Sequence, residues 1–205
     1  MDILGYGEDA LTLWVLKNRI SVLLEKLNDS SSLSQCKVFF RPSFGRSGGE
    51  NSAQFGEFDF ILLSKYQLYL GESKWHRSSE NINNGILELR KEQLSRHSIF
   101  KFYVKEWAFG NYVTWDEFEK TAKIRLDNWE SCKPIAPNNS LLACNLQTVL
   151  NIIKQHFETI PPIKNVLLYL HDCPDAHIHP KSAGLDFEFV TIDCSEGAVG
   201  NFVVL

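Results

Sequence analysis

Two apolar runs, Gln54 to Leu63 and Gln67 to Trp75, follow one another with only a few residues between them. Each is short and rich in bulky side chains, which suits a strand, and so brief a connection leaves an antiparallel hairpin as the economical link. This pairing constrains the rest of the chain. A tight turn centred on the Lys65–Tyr66 bond sets Asp59 directly across from Glu72, with Cβ atoms about 4.5 to 5.5 Å apart. Side chains alternate along a strand, so Glu72 and Lys74 project from one face.

The other elements follow from periodicity and punctuation. Apolar residues at Leu13, Leu16, Ile20, Leu23, Leu24 and Leu27 predict a one-faced helix over Gly7 to Leu27, with Glu8 in its first turn. Cys36 to Arg41 reads as a short strand stopped by Pro42, and the Gly- and Ser-rich stretch Ser43 to Ser52, which carries Arg46, reads as a flexible loop. Ile86 to Trp107 is expected to form a long helix. Thr114 with Glu117 fits a capping box for a helix to about Trp129, and Ser140 caps another to about Phe157. Asn165 to Leu170 reads as a buried strand and Phe187 to Cys194 as a further one. The order is helix, three strands, helix, a mostly helical insertion over 110–163, then two strands. It predicts one α/β domain with a mixed central sheet flanked by helices, its core spanning 1–109 and 164–205. A chain of 205 residues suffices for one well-buried core.

Two carboxylates opposed across a sheet repel one another, and something must offset the cost. Mg²⁺ does so naturally, since it takes one or two carboxylates and keeps its remaining positions for water and phosphate. Asp59 and Glu72 are the expected ligands, the Ser73 backbone carbonyl a further oxygen, and Mn²⁺ a substitute metal. Such an ion acidifies a bound water and neutralises charge on a phosphate. Lys74, on the face of Glu72, could orient that water and stabilise the pentavalent phosphorane. The alternative is a solvated sheet face with Lys74 paired to Glu57. Bulky neighbours such as Phe58, Phe60, Ile61, Leu68 and Leu70 favour central strands, where bare charges are difficult to solvate.

The net charge of −4 counts modestly against nucleic-acid binding, yet it hides a gradient. From Lys37 to Lys105 there are 11 Lys/Arg against 7 Asp/Glu, so the motif lies in the basic third of the chain. Arg41, Arg46, Arg77 and Arg96 are candidates to track a phosphate backbone, and His76 to stack on a base. Gln93 and His97, one helical turn apart, share a face and are further candidates, with solvent exposure as the plainer reading.

The set Asp59, Glu72-Ser73-Lys74 on paired strands, with Glu8 on a preceding helix, resembles the PD-(D/E)xK nuclease superfamily, whose restriction-endonuclease-like core is helix, three strands, helix, strand. Asp59 matches the family's Asp, Glu72 and Lys74 its ExK, and Glu8 the acid many members carry on the first helix. Phe58 stands where the name-giving Pro would be. The resemblance covers residues 1 to about 107 with Asn165 to Leu170 as fourth core strand. It implies metal-dependent cleavage of phosphodiester bonds, in DNA more than RNA. Small stand-alone members act in restriction, phage defence, recombination or repair and often dimerise. Rival readings are an RNA-directed nuclease and a non-catalytic subunit that keeps the fold to bind nucleic acid or a protein. For Glu8, a role at a metal competes with the general preference of a helix's first turn for acids.

Five widely spaced cysteines, Cys36, Cys132, Cys144, Cys173 and Cys194, suggest reduced thiols and a cytoplasmic setting. No apolar run approaches the roughly 20 residues of a membrane span. Asp2, Glu8 and Asp9 replace the basic flank of a secretory signal, so neither membrane insertion nor secretion is expected. The tract His171, Cys173, His177, His179 is the rival metal cluster, at spacings that fit no familiar zinc pattern. The Trp and Tyr content of the 110–163 insertion points to a partner or substrate surface.

Overall fold

Five strands stand side by side in chain order: β1 (Lys37–Phe40), β2 (Phe60–Leu63), β3 (Leu68–Trp75), β4 (Ile163–His171) and β5 (Glu188–Asp193). The first three form an antiparallel meander, and β4 and β5 then run parallel to β3. The protein is thus mixed α/β with a central mixed sheet. The computed structural model describes residues 1–44, 56–77, 82–83, 85–126, 135–172, 180–184 and 186–205.

The β2–β3 hairpin closes in the register expected, with Leu63 opposite Leu68 and Phe60 opposite Gly71. Its turn is centred on Lys65–Tyr66. The Ser64 amide donates to the Gln67 carbonyl at 2.9 Å, and the Ser64 hydroxyl accepts from the amides of Tyr66 and Gln67. A serine side chain thereby satisfies turn amides that the two-residue connection would otherwise expose.

The chain divides into two compact units, each with its own interior. The first comprises Met1–Arg41, Phe58–Leu89 and Pro162–Leu205. Helices α1 (Gly7–Asn18) and α2 (Ile20–Lys26) bring Leu11, Trp14, Val15, Leu23 and Leu24 onto one sheet face, against Phe60, Leu62, Tyr69, Leu168 and Leu170. The expected single helix over 7–27 is broken at Arg19, which leaves helical geometry at φ −129°, ψ 15°. On the opposite face Leu167 and Tyr169 pack with Leu87, Leu89, Phe187 and Phe189. Leu4–Tyr6 pairs with Phe202–Val204, and Gly7, at φ +76°, turns the chain straight into α1. That junction fixes where Glu8 begins.

The second unit comprises Pro42–Glu57 and Arg90–Pro161, so it takes in most of the expected insertion and reaches beyond it. Its helices are α3 (Lys91–Tyr103), extended by a wide turn over Val104–Ala108, α4 (Trp115–Leu126) and α5 (Leu141–His156). Trp115 stacks on Tyr103 at 5.8 Å and 11° and donates to the Ala136 carbonyl at 2.7 Å, while the Tyr103 hydroxyl accepts the Ala136 amide at 3.1 Å. Both aromatic polar tips are satisfied in the interior, as buried polar groups must be. The α5 cap is as expected, Ser140 Oγ accepting from Ala143 N. At α4, Thr114 Oγ1 accepts the Glu117 amide, but Glu117 reaches back to Val113 rather than closing the box on Thr114.

Two strand and helix boundaries differ from expectation. Ile86–Leu87 is a short strand rather than the start of a helix, and α3 begins only after Arg90, whose ψ of 151° is extended. Leu87 and Leu89 pack together on the sheet at a spacing of two, the strand period, and the helical pattern starts after them. The expected strand 54–63 splits. Gly56–Glu57 pairs with Ser43–Phe44, inside the stretch expected to be a loop, Gly56 turns at φ +82°, and β2 begins at Phe60. No helix among the described residues is long and apolar enough to cross a membrane. Cys36, Cys144 and Cys194 are free thiols.

Gly71 lies under the Phe60 ring, and a Cβ there would stand 2.1 Å from two ring atoms. Phe60 is fully buried and has no room to yield. Gly71→Ala is therefore expected to destabilise the protein by about 1–3 kcal/mol through overpacking, read as a lower urea midpoint at unchanged slope. A wild-type midpoint would show that the ring is free to move.

Candidate active site

The site is created by a strand that ends early. Phe60 opposite Gly71 is the last pair of the β2–β3 ladder, and the Gly71 carbonyl receives the Asp59 amide at 3.2 Å. Asp59 and Phe60 together face one residue, a local bulge at which β2 parts from its neighbour. β3 continues to Trp75. Its even-numbered residues turn their backbone groups toward β4, as when the His76 amide donates to the Leu170 carbonyl at 2.9 Å. By alternation its odd-numbered residues face the side that β2 has left. Ser73 and Trp75 therefore present amides to a vacated edge.

Carboxylates fill it. Asp59 Oδ2 accepts the Ser73 amide at 2.7 Å, and Glu8 Oε2 accepts the Trp75 amide at 2.8 Å. The other Glu8 oxygen, Oε1, receives Lys74 Nζ at 3.2 Å. Glu72, between the two sealed amides, is only 2 % exposed, which removes the solvated-face alternative for it. Lys74 and Glu8 side chains keep 24 % and 26 % of their exposure, so this pair stands at the rim.

Charge is poorly balanced within the group. Burial pushes the Asp59 carboxyl up from 3.8 to about 7, and the neighbouring Glu72 adds to the rise, with a smaller contribution from Glu8. The Ser73 amide and the Lys74 ammonium pull the other way without prevailing. All four side chains expected to act together are thus electrostatic neighbours. The expected ladder pair Asp59–Glu72 does not form, because the ladder ends at Phe60 opposite Gly71; Asp59 turns along the strand edge toward Ser73, and Glu72 acts on it electrostatically. Asp59 and Glu72, with the Ser73 carbonyl on the same edge, are hard oxygen donors that suit Mg²⁺. Glu8, the expected ancillary acid, has its oxygens on the Lys74 ammonium and the Trp75 amide, so it also caps β3. Among the described residues no group of three or more His, Cys, Asp or Glu side chains gathers to hold a metal.

The candidate nucleic-acid contacts are dispersed. Arg41, in left-handed geometry at φ 49°, donates its amide to the Asp59 carbonyl at 3.0 Å, while its guanidinium pairs with Asp9. His76 and Arg77 both meet Asp172, at 3.1 and 2.7 Å, and Arg77 also donates to Asn201 Oδ1 at 2.6 Å. Asp172 was not foreseen as their anchor. Its signal was its place just after a buried strand whose parallel register ends beside that of β3. In the second unit, Gln93 accepts the Arg90 amide at 3.1 Å as part of the α3 cap, and the Arg96 guanidinium lies over Gly56. His97 corrects the solvent-exposed reading: it is 1 % exposed. Arg46 lies outside the described residues, as do Cys173, His177 and His179 of the rival metal tract. His171, which is described, ends β4 and lines a cavity of ≈ 430 Å³ with Arg19, Lys26 and Asp193.

Comparison of the chain with known protein families, with curated proteins and with solved structures finds no match.

Because the Asp59 carboxyl is raised in the folded protein, the native state holds a proton that the unfolded chain releases between about pH 3.8 and 7. Its contribution to stability is therefore lost as pH rises through that window. Asp59→Asn keeps an acceptor for Ser73 and removes the charge. At pH 8 the variant is expected to be more stable than wild type by about 1–2 kcal/mol, the gap closing below pH 4. Thermal melts at both pH values test this; equal melting at pH 8 would rule out the buried repulsion.

Proposed function

We propose that the chain is a divalent-metal-dependent nuclease that hydrolyses phosphodiester bonds, in DNA by preference. The observation that carries this reading is the electrostatic closeness of half-buried Asp59 to buried Glu72, with the Lys74 ammonium acting on the same carboxyl. Two acids held together against their own repulsion call for a cation, and their hard oxygens suit Mg²⁺, with Mn²⁺ as substitute. When bound, such an ion neutralises phosphate charge and makes a water more acidic.

The chain's own groups supply the rest. Asp59 and Glu72 hold the ion, and the edge-facing Ser73 carbonyl offers a third oxygen. The Lys74 ammonium, at the rim and partly exposed, orients the attacking water and stabilises negative charge as phosphorus becomes five-coordinate. Glu8 is a positioning residue, since its carboxylate fixes the lysine and the strand beside it. Further support comes from element order: a helix, three antiparallel strands, a crossover and a parallel strand agree with a restriction-endonuclease-like core and with the PD-(D/E)xK resemblance. On that reading Asp59 enters from the strand before the ExK strand, as in the superfamily. A cytoplasmic role in restriction, phage defence or repair, alone or as a dimer, belongs to the same proposal.

Cleavage of supercoiled plasmid, single-stranded DNA and RNA in Mg²⁺ tests it. Lys74→Ala is expected to lower the rate at least about 10²-fold, and EDTA to abolish it. Glu8→Gln, which keeps an acceptor for Trp75 but loses the ion pair, should cost about tenfold. Cleavage that ignores EDTA, or that Lys74→Ala leaves unchanged, overturns the mechanism; RNA cut in preference to DNA reassigns the substrate.

A further inference from the structure

Leu4–Tyr6, Phe202–Val204 and Ala198–Val199 form a small sheet of their own, with Phe202–Val204 in the middle. Its two faces differ in kind. Gly5 opposite Val203 makes the inner one: Val203 is fully buried, and a Cβ on Gly5 would stand 2.5 Å from Ala10 of α1. Alternation sends the residues on either side of them the other way. Leu4 opposite Val204, and Tyr6 and Val199 flanking Phe202, therefore share the outer face. All five are apolar or aromatic, and each is between 38 % and 65 % exposed.

This is more than a scatter of single exposed residues. An aromatic side chain offers about 150–250 Å² and an aliphatic one less, so the five present on the order of 500 Å². That lies near the upper end of what a monomer leaves to water, and two such faces together, about 1,000 Å², reach the lower bound of a specific interface. The face also grades in size along the strands. Tyr6 and Phe202, edge to face at 5.4 Å, fill one end, and Leu4 with Val204 fills the other. A twofold axis lying between two such faces and across their strands reverses the strand direction, so the rings of one copy rest on the aliphatic end of the other. Charge follows the same reversal. Asp2 is exposed just beyond the aliphatic end, while Arg77, 43 % exposed although it pairs with Asp172, donates to Asn201 beside Phe202 at the ring end. The acids next to the rings, Glu8 and Asp9, are already paired with Lys74 and Arg41.

We propose that a second copy of the chain docks on this face, sheet on sheet across a twofold axis, with Leu4 of each copy against Tyr6 of the other. The occupant is a copy because the five side chains carry no charge for a polar partner to meet, and because the face is complementary in size to its own reverse. The inference does not rest on the metal site: Asp59, Glu72 and Lys74 take no part in it, and it holds for a chain that cuts nothing.

Sedimentation velocity of the whole chain over about 1–300 µM reads the result. The wild type is expected to pass from monomer to dimer with a midpoint of about 10–100 µM, as suits a small interface. Leu4→Glu and Tyr6→Lys, each tested alone, bring two unpaired charges into the interface and should weaken it at least about tenfold. Mixed in equal amounts they should recover the dimer, since the twofold sets one new charge against the other and leaves the second Leu4–Tyr6 contact intact. Both residues are exposed, and an unchanged melting temperature in dilute solution is the folding control. Val199→Lys, outside the junction with α1, supplies the same loss should either variant fail that control. The proposal is overturned if the wild type sediments as a monomer throughout, including if it instead floats with phosphatidylcholine vesicles. It is equally overturned if the single variants dimerise as the wild type does, or if their mixture stays monomeric.

Discussion

The structure of the site depends on one backbone fact: β3 outruns β2, and the amides of Ser73 and Trp75 are left with no strand to receive them. An unpaired amide inside a protein costs about as much as a lost hydrogen bond, so such an edge must be covered. Here two carboxylates cover it, one from the bulge that ends β2 and one from the first turn of α1. Two elements, β2 and α1, are thereby tied to a single strand edge. The short pairing of Leu4–Tyr6 with Phe202–Val204 holds the start of α1, and through it Glu8, in place.

Using acids as strand caps has an electrostatic consequence. A carboxylate accepting an amide bond is stabilised as an anion, and Asp59 alone would be held below its ordinary value by Ser73. Burial beside Glu72 outweighs this, and the net effect is a rise to about 7. The Lys74 ammonium is shared between Asp59 and Glu8. Lys74 lies 3.2 Å from Glu8 at the partly exposed rim, where an ion pair contributes about 1 kcal/mol or less. Taking an acid out of water costs several kcal/mol, and the Lys74 ammonium lowers the Asp59 carboxyl without prevailing over burial and Glu72. The imbalance is what leaves the Asp59 carboxyl raised although its amide partner favours the anion.

Much of this could be anticipated. The hairpin register was legible because a turn on Lys65–Tyr66 determines every pair after it, and Ser64 supports that turn through its own hydroxyl. The common face of Glu72 and Lys74 follows from alternation alone. The caps at Thr114 and Ser140 were legible because they use local side-chain oxygens. Where local signals competed, reading failed. Leu87 and Leu89 fit a helical stripe as well as an alternating one, and only contact with Leu167 and Tyr169 on the sheet decides for the latter. The break before Phe60 was hidden because Phe58, Phe60, Ile61 and Leu62 look like uninterrupted strand. His97 looked like half of a polar pair, yet it is buried.

By itself, then, the sequence determined the mixed α/β character, the hairpin with its register, and which acids and lysine lie near one another, since these follow from periodicity and chain connectivity over a few residues. Tertiary structure decided what those residues do. That Asp59 turns along an edge, that Glu8 caps Trp75 and holds Lys74, and that Asp172 gathers His76 and Arg77 depend on contacts between distant segments. No local pattern encodes them. A carboxylate's role is set by which unsatisfied amide or charge the fold brings within about 3 Å of it, and that is known only once the strands have been laid side by side.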